Sequence, residues 1–219
     1  MVVNVEKNYA KFKKYIQNYI KREGVNEFLE WLDSSDMRVA PASTKYHMSC
    51  EGGLCAHSLN VFYRLIKLIQ AEYPEGTECP YSQESIALVA LLHDLAKVNY
   101  YTISEKNVKN AQGQWEKVPY YAVKDTNDRL IFGSHSMNGY YLASKFFKLT
   151  YDEELAILHH MGGLDTTEDT ITLKNTIDAY KKSTLALLLH QADMLATCID
   201  ELEEETNEWY FKKAIRFIG

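Results

Sequence analysis

Proline and glycine are scarce in this 219-residue chain, which contains 4 prolines and 10 glycines. So few turn-forming residues leave little room for linkers, and we find neither an internal repeat nor a low-complexity segment. The chain also lacks an apolar run of 18 residues, so no membrane span is expected. Its length fits one ordinary domain, which can bury a sizeable core without disulfides.

Paired cysteine motifs are missing as well. The four cysteines (Cys50, Cys55, Cys79 and Cys198) form no CxxC pair, and no signal peptide is visible at the start of the sequence. Cysteines without paired spacing, in a sequence without a visible signal peptide, are usually reduced thiols. We therefore expect a cytoplasmic protein.

The chain also lacks an excess of positively charged residues. The chain carries 24 Lys and Arg against 30 Asp and Glu, a net charge of −6. Proteins that bind polynucleotides usually present a basic face, so a long nucleic acid is not an expected partner. A small phosphorylated substrate, in particular a nucleotide, is compatible with this charge because a bound metal can supply the positive charge. Aromatic N- and C-terminal helices would offer surface for a homodimer.

The spacing of apolar residues is mostly that of α-helices. Helices are expected at residues 4–34 (two, divided at Gly24), 57–73, 83–97, 135–147, 152–160 and 184–204. Residues 99–123 break this pattern, because they are rich in aromatic and β-branched residues and contain the turn formers Asn110, Gln112 and Gly113. The sequence therefore predicts an all-α bundle with a small inserted β-hairpin at about residues 99–125.

The stretch from Ile86 to Val98 contains the main functional signal. Its first half is apolar at nearly every position, which is typical of a helix buried on all sides. His93, Asp94 and Lys97 then follow without a turn residue. A buried imidazole beside a buried carboxylate is costly unless both are paired or bind a metal. Lys97 comes three residues after Asp94, so on a continuous helix the two share a face, where the ammonium can hold a phosphate oxygen.

Further histidines and an aspartate interrupt the other apolar helices or flank them. Imidazole and carboxylate ligands together suit a hydrolytic site for divalent ions such as Mn²⁺, Fe²⁺, Zn²⁺, Co²⁺ or Ni²⁺. The order His57, His93-Asp94, Asp193, in the contexts GGLCAHS, LLHDLAK and LHQADMLA, resembles the HD-domain metal-dependent phosphohydrolase superfamily. The resemblance covers about residues 40–205.

The resemblance implies a ligand set. In such proteins His57, His93, Asp94 and Asp193 would bind one metal. Members with two metals add histidines between the HD pair and the last aspartate, where His135 and the pair His159-His160 stand here. We favour His160 of that pair, with His159 as the alternative, and Asp94 as the bridge. The cofactor would be one or two divalent ions of Mn, Fe, Ni, Co, Zn or Mg.

The resemblance also implies a reaction, in which a metal-activated water attacks phosphorus and Asp94 and Lys97 are catalytic. Lys97 resembles a lysine of the bimetallic cyclic-dinucleotide hydrolases and of related RNA 3′-exonucleases. The chain lacks the Gly-Tyr-Pro signature of the first group and has no room for the extra domain of the second, so neither specificity is carried over. The residues expected to contact substrate are Lys97, His47, Tyr100 and Tyr101.

Several alternatives stay open from the sequence. The substrate can be a phosphomonoester or a diester such as a cyclic nucleotide. The chain can also be a nucleotide-sensing module with little turnover, or a nuclease on short single strands. The aromatic segment can be a lid or simply a hairpin that buries its own side chains. Residues 1–38 are assigned to N-terminal helices that pack on the body, 40–205 to the HD domain with an insertion at 99–132, and 206–219 to a C-terminal helix.

Overall fold

The computed structural model describes residues 3–165 and 170–201. These ranges contain eight α-helices and one two-stranded hairpin, which confirms the predicted all-α class with a small β insertion. The helices are α1 (Val5–Tyr19), α2 (Val25–Ser34), α3 (Gly53–Glu72), α4 (Gln83–Leu92), α5 (His135–Ser144), α6 (Tyr151–His159), α7 (Thr170–Lys182) and α8 (Thr184–Leu195). The strands are β1 (Tyr101–Lys109) and β2 (Trp115–Val123).

Short polar side chains begin several of these helices. The side chain of Asn4 accepts the backbone N–H of Lys7 at the start of α1, and Ser82 does the same for Ser85 at the start of α4. Thr150 and Glu153 form a reciprocal capping box at the start of α6. Each such bond satisfies a backbone N–H that has no partner inside the helix.

Helix α4 is the centre of the core. All seven residues from Ile86 to Leu92 are buried, and α1, α3, α6 and α8 pack around them. The core extends to Phe12 of α1 and Phe28 of α2, so both N-terminal helices share it.

The limits of the predicted domains stay predictions, and the expected C-terminal helix at 206–219 lies outside the described residues. No helix within the described ranges combines the length and apolar composition needed to cross a membrane.

Several predicted helix boundaries are wrong. The central helix was expected to reach Lys97, but α4 ends at Leu92 and a 3₁₀ turn follows at Leu95–Lys97. The last helix was expected to reach about Glu204, but α8 ends at Leu195 and continues as a π-helical turn at Ala196–Asp200. In addition, α3 begins at Gly53 rather than at His57, and α5 ends at Ser144 rather than near residue 147.

The hairpin was predicted correctly. Its strands pair antiparallel, from Tyr101 opposite Val123 to Lys109 opposite Trp115. Asn110 organises the turn, because its side-chain oxygen accepts the backbone N–H groups of Gln112 and Gln114. This is the local hydrogen bonding for which asparagine is favoured in turns.

Candidate metal centre

Close packing at the start of α3 places His57. Gly52 precedes the helix with φ +72°, and a Cβ on Gly53 would lie 2.1 Å from the carbonyl oxygen of Met48. Only glycine permits this approach, so the loop before the helix lies directly against its first turn. His57 follows one turn later with no exposed surface.

The change from α-helix to 3₁₀ geometry after Leu92 positions the next group. His93 and Asp94 lie at the break and are buried. In a 3₁₀ turn, residues i and i+3 eclipse one another, which brings Lys97 over Asp94. The Lys97 Nζ lies 2.6 Å from Asp94 Oδ2. The sequence placed these two side chains on one helix face; the structure brings them together through the break in the helix.

Two further histidines approach the other oxygen of Asp94. His135 Nε2, at the start of α5, lies 2.8 Å from Asp94 Oδ1, and His160 Nε2, directly after α6, lies 3.7 Å from it. Helix α5 can come this close because residue 139 is a glycine. A Cβ at this position would lie only 3.0 Å from the His93 carbonyl oxygen.

The remaining contacts lie on the Oδ2 side of Asp94. His57 Nε2 is 3.4 Å and His93 Nε2 is 3.6 Å from Oδ2. Asp193, on α8, brings its Oδ1 to 3.3 Å from His57 Nε2. One buried carboxylate therefore stands between two groups of imidazoles, one group at each oxygen.

The imidazole rings are oriented from behind through their Nδ1 atoms. His93 Nδ1 lies 2.9 Å from the Ala90 carbonyl oxygen, His160 Nδ1 lies 2.7 Å from that of Ile157, and His57 Nδ1 lies 2.9 Å from a Glu201 oxygen. Because each acceptor requires an N–H on Nδ1, each Nε2 faces the centre, where its lone pair is available to a metal once the ring is neutral.

This donor set fits a divalent metal. His160 Nε2 is buried without a hydrogen-bond partner. A buried polar nitrogen without a partner destabilises the fold, and a metal ligated by this nitrogen would remove that cost. The described residues that can hold an ion together include His57, His93 and Asp94 in one group, and Asp94, His135 and His160 in another. Asp94 belongs to both groups. The buried cluster is therefore compatible with divalent metal, whose identity the ligands do not determine.

The electrostatics of the cluster also favour a cation. Burial lowers the pKa of His57, but the surrounding carboxylates, first Glu201 and then Asp193 and Asp94, raise it well above its ordinary value. Burial opposes the ionisation of Asp94, yet Lys97 and His93 hold its pKa well below the usual range. Burial lowers the pKa of His93 to about 4, which keeps its ring neutral as a metal ligand requires.

The structure separates the other histidines predicted from the sequence. His159 Nδ1 lies 3.1 Å from the Thr176 hydroxyl, away from Asp94, so only His160 of the pair joins the cluster. His190 Nδ1 lies 2.7 Å from the carbonyl oxygen of His160, so this histidine supports His160 from outside the cluster.

The predicted substrate contacts fall into two groups. The His47 ring centroid lies 4.9 Å from that of His57, and its Nε2 is buried without a partner. Tyr101 interacts electrostatically with Lys97, and burial raises the pKa of its hydroxyl to about 12. Both residues therefore border the cluster. Tyr100 turns instead toward Arg129, whose guanidinium lies over its ring.

Glu201 is the member of this site that the sequence analysis missed. Its carboxylate is buried and accepts hydrogen bonds from His57 and from the Asn60 amide. It lies in an acidic run, DELEEE, in which no position stands out. Its role depends on a contact with a residue 144 positions away, so no local signal could have identified it.

Comparison with known families decides the relationship. Residues 55–198, about two thirds of the chain, match the family model of the HD domain. The chain belongs to the HD-domain family. HD domains bind divalent metals and are generally metal-dependent phosphohydrolases. No curated protein and no solved structure is significantly similar to this HD-domain protein.

Proposed function

We propose that this HD-domain protein is a phosphohydrolase that uses divalent metal to hydrolyse a phosphate ester of a nucleotide or a similar small molecule. The observation that carries the proposal is the position of Asp94, whose Oδ2 faces His57 and His93 while its Oδ1 faces His135 and His160. A carboxylate shared in this way suits a bridge between two ions.

The proposed ligand set follows from the two groups. His57, His93, Asp94 and Asp193 would hold one ion, and His135 and His160 would hold a second together with Asp94. Imidazole and carboxylate suit Mn, Fe, Co, Ni or Zn, and the carboxylates of Asp94 and Asp193 also suit Mg. When bound, such ions supply Lewis acidity and a template for the phosphate of the substrate.

The exposure of the ligands gives the direction from which a substrate would approach. The side chains of His57, His93 and His160 are at most 1% exposed, whereas those of Asp193 and His135 are 16% and 24% exposed. A phosphate would therefore reach the cluster from the side of Asp193 and His135. The buried histidines His57, His93 and His160 would close the opposite side of the cluster to solvent.

Lys97 is also partly accessible, with 12% of its side chain exposed. Burial lowers the pKa of Lys97, but Asp94 raises it further, so the side chain stays a cation. An ammonium in this position can donate hydrogen bonds to a phosphate oxygen and stabilise the negative charge that develops there. Tyr101 and His47 would restrict the space around that phosphate.

The size of the proposed substrate rests on charge. The net charge of −6 supports a small phosphate ester rather than a long nucleic acid, which would need a basic face.

The proposed function is tested by a screen of nucleoside monophosphates, nucleoside triphosphates and cyclic nucleotides with the wild type and Asp94→Ala. We expect turnover of at least one substrate class by the wild type and none by Asp94→Ala, with helical circular dichroism preserved in both.

A matched control is Asp178→Ala, which removes an exposed aspartate that pairs with Lys181 on α7. It should retain full activity. Turnover by Asp94→Ala at the rate of the wild type would show that the reaction takes place elsewhere. Turnover that persists in excess chelator would refute the need for metal.

A further inference from the structure

Arg129 differs from the other arginines that the structure describes. Arg22 pairs with Glu153, Arg38 with Glu6 and Arg64 with Asp200. No described carboxylate lies within ion-pair distance of Arg129, although Asp125 and Asp128 are close in sequence. Arg129 lies between the hairpin and α5, in the segment that leads to His135.

The hydrogen bonding of this guanidinium is incomplete. Among the described residues, it donates one hydrogen bond, from an Nη atom to the Tyr100 hydroxyl, at 3.3 Å. The Nε of Arg129 is buried and has no hydrogen-bond acceptor among the described residues. Arginine carries five N–H donors, and a buried donor without an acceptor costs the full penalty of its lost hydration. An anion is the ligand that would satisfy such a group.

The guanidinium is also held in place before any ligand arrives. It lies over the ring of Tyr100, with 5.3 Å between the guanidinium carbon and the ring centroid. Tyr100 is fixed in turn by the base of the hairpin, where its carbonyl oxygen accepts the backbone N–H of Lys124. A stacked arginine loses little freedom when it binds, and its planar fork matches two oxygens of a phosphate.

Arg129 is connected to the metal centre through two tyrosines. The ring centroids of Tyr100 and Tyr101 are 5.1 Å apart, and Tyr101 interacts electrostatically with Lys97. The distance from the guanidinium carbon to the Tyr101 ring centroid therefore cannot exceed the sum of the two distances, 5.3 and 5.1 Å. Arg129 therefore lies close to Tyr101, which borders the cluster, and it belongs to neither group of candidate ligands around Asp94.

We propose that Arg129, seated on Tyr100, binds a second phosphate group of the substrate, remote from the one that reacts. The inference rests on the proposed function and narrows its substrate class to compounds with more than one phosphate, such as nucleoside triphosphates. A simple phosphomonoester would leave this guanidinium without its anion. The reacting phosphate is held at Lys97, and Arg129 determines which substrates bind there.

The test compares two inorganic probes by calorimetry on the protein as purified, with equal Mg²⁺ in the cell and the syringe. Inorganic tripolyphosphate spans several phosphates, whereas inorganic phosphate supplies one. We expect Arg129→Gln to weaken tripolyphosphate binding by about tenfold or more, the factor for one charge-assisted hydrogen-bonded pair. Binding of inorganic phosphate should change by less than about twofold, which is within the effect of an ordinary surface substitution.

Two variants control for charge and folding. Lys124→Gln removes one positive charge at the base of the same hairpin and should bind tripolyphosphate like the wild type. Arg129→Lys keeps the charge but loses the fork, so its affinity should lie between those of the wild type and Arg129→Gln. Circular dichroism should be identical for all four proteins.

The proposal is overturned if Arg129→Gln binds tripolyphosphate as well as the wild type does. Equal weakening of both probes, or equal weakening by Lys124→Gln, also overturns it, because either result reports only a general charge effect. Ester hydrolysis by the wild type is measured in parallel. Hydrolysis without any dependence of tripolyphosphate binding on Arg129 refutes the second-phosphate site alone, whereas absence of hydrolysis of every ester refutes the proposed function.

Discussion

A buried ion pair joins the N-terminal helices to α6, the helix that leads to His160. Arg22 donates two hydrogen bonds of 2.8 Å to Glu153, one to each carboxylate oxygen. The Glu153 side chain has no exposed surface, and that of Arg22 is 19% exposed. In Arg22→Met, the carboxylate would stay buried without its counterion. Breaking a buried pair from one side costs about 3–5 kcal/mol, and the partial exposure of Arg22 places our expectation at ~3 kcal/mol.

Thermal unfolding measures this loss. For a chain of this length, ~3 kcal/mol corresponds to a decrease in Tm of roughly 6–12 °C. The matched control is Lys13→Met, which breaks an ion pair with Asp33, whose side chain is 54% exposed. Exposed pairs contribute about 0–1 kcal/mol, so this control should shift Tm by much less. Equal effects of Arg22→Met and Lys13→Met would refute the reasoning.

The pH dependence gives a second check on the same pair. Burial raises the pKa of Glu153, but the hydrogen bonds from Arg22 lower it further, so its folded-state value lies below the ordinary 4.5. Such a depressed pKa stabilises the fold above pH 4.5, and that contribution is lost as the pH falls through the folded-state value. In Arg22→Met burial still raises the pKa of Glu153, and of the groups that lower it only the hydrogen bonds from Thr150 and Ser85 remain, so this pKa is higher than in the wild type. The penalty of Arg22→Met should therefore shrink as the pH falls from neutral toward 4.5.

Two further substitutions test the site and its support. Lys97→Met should lower kcat by about a hundredfold while metal content is retained, because the ammonium stabilises charge rather than holding the ion; equal loss of metal and activity would make Lys97 structural. Gly53→Ala should destabilise the fold by about 1–3 kcal/mol in urea unfolding, because the added methyl group would overlap the Met48 carbonyl oxygen. As a control, a methyl group added in Gly163→Ala would contact, among the described residues, Leu173 at 3.6 Å and should change stability by less than about 0.5 kcal/mol. A Gly53→Ala protein as stable as this control would contradict the packing at the start of α3.

The sequence was informative where polar residues contradict their surroundings. His93, Asp94 and Asp193 interrupt apolar helices, and the cost of burying them unpaired made a joint site the expected explanation. The hairpin was equally visible, because its turn chemistry and its β-branched and aromatic strands agree. The family match over residues 55–198 confirms the resemblance that these residues carried.

Other features depend on contacts that no local pattern records. The apolar periodicity continues past Leu92, so the break that turns Lys97 onto Asp94 was not predicted; tertiary packing overrides helix propensity there. Glu201 supports His57 from a distant part of the chain. Arg129 is unremarkable in sequence, and what distinguishes it in the structure is its buried Nε, which has no acceptor among the described residues.

The most direct test of the metal centre is elemental analysis of the purified protein beside Asp94→Ala, His135→Ala and the control Asp178→Ala. The account predicts about two equivalents of divalent metal in the wild type and in Asp178→Ala, as expected for a two-metal hydrolytic site. Loss of His135 should leave about one equivalent, and Asp94→Ala should lose the metal that depends on the shared carboxylate. An absence of metal even after reconstitution, or a metal content that Asp94→Ala leaves unchanged, would contradict the account.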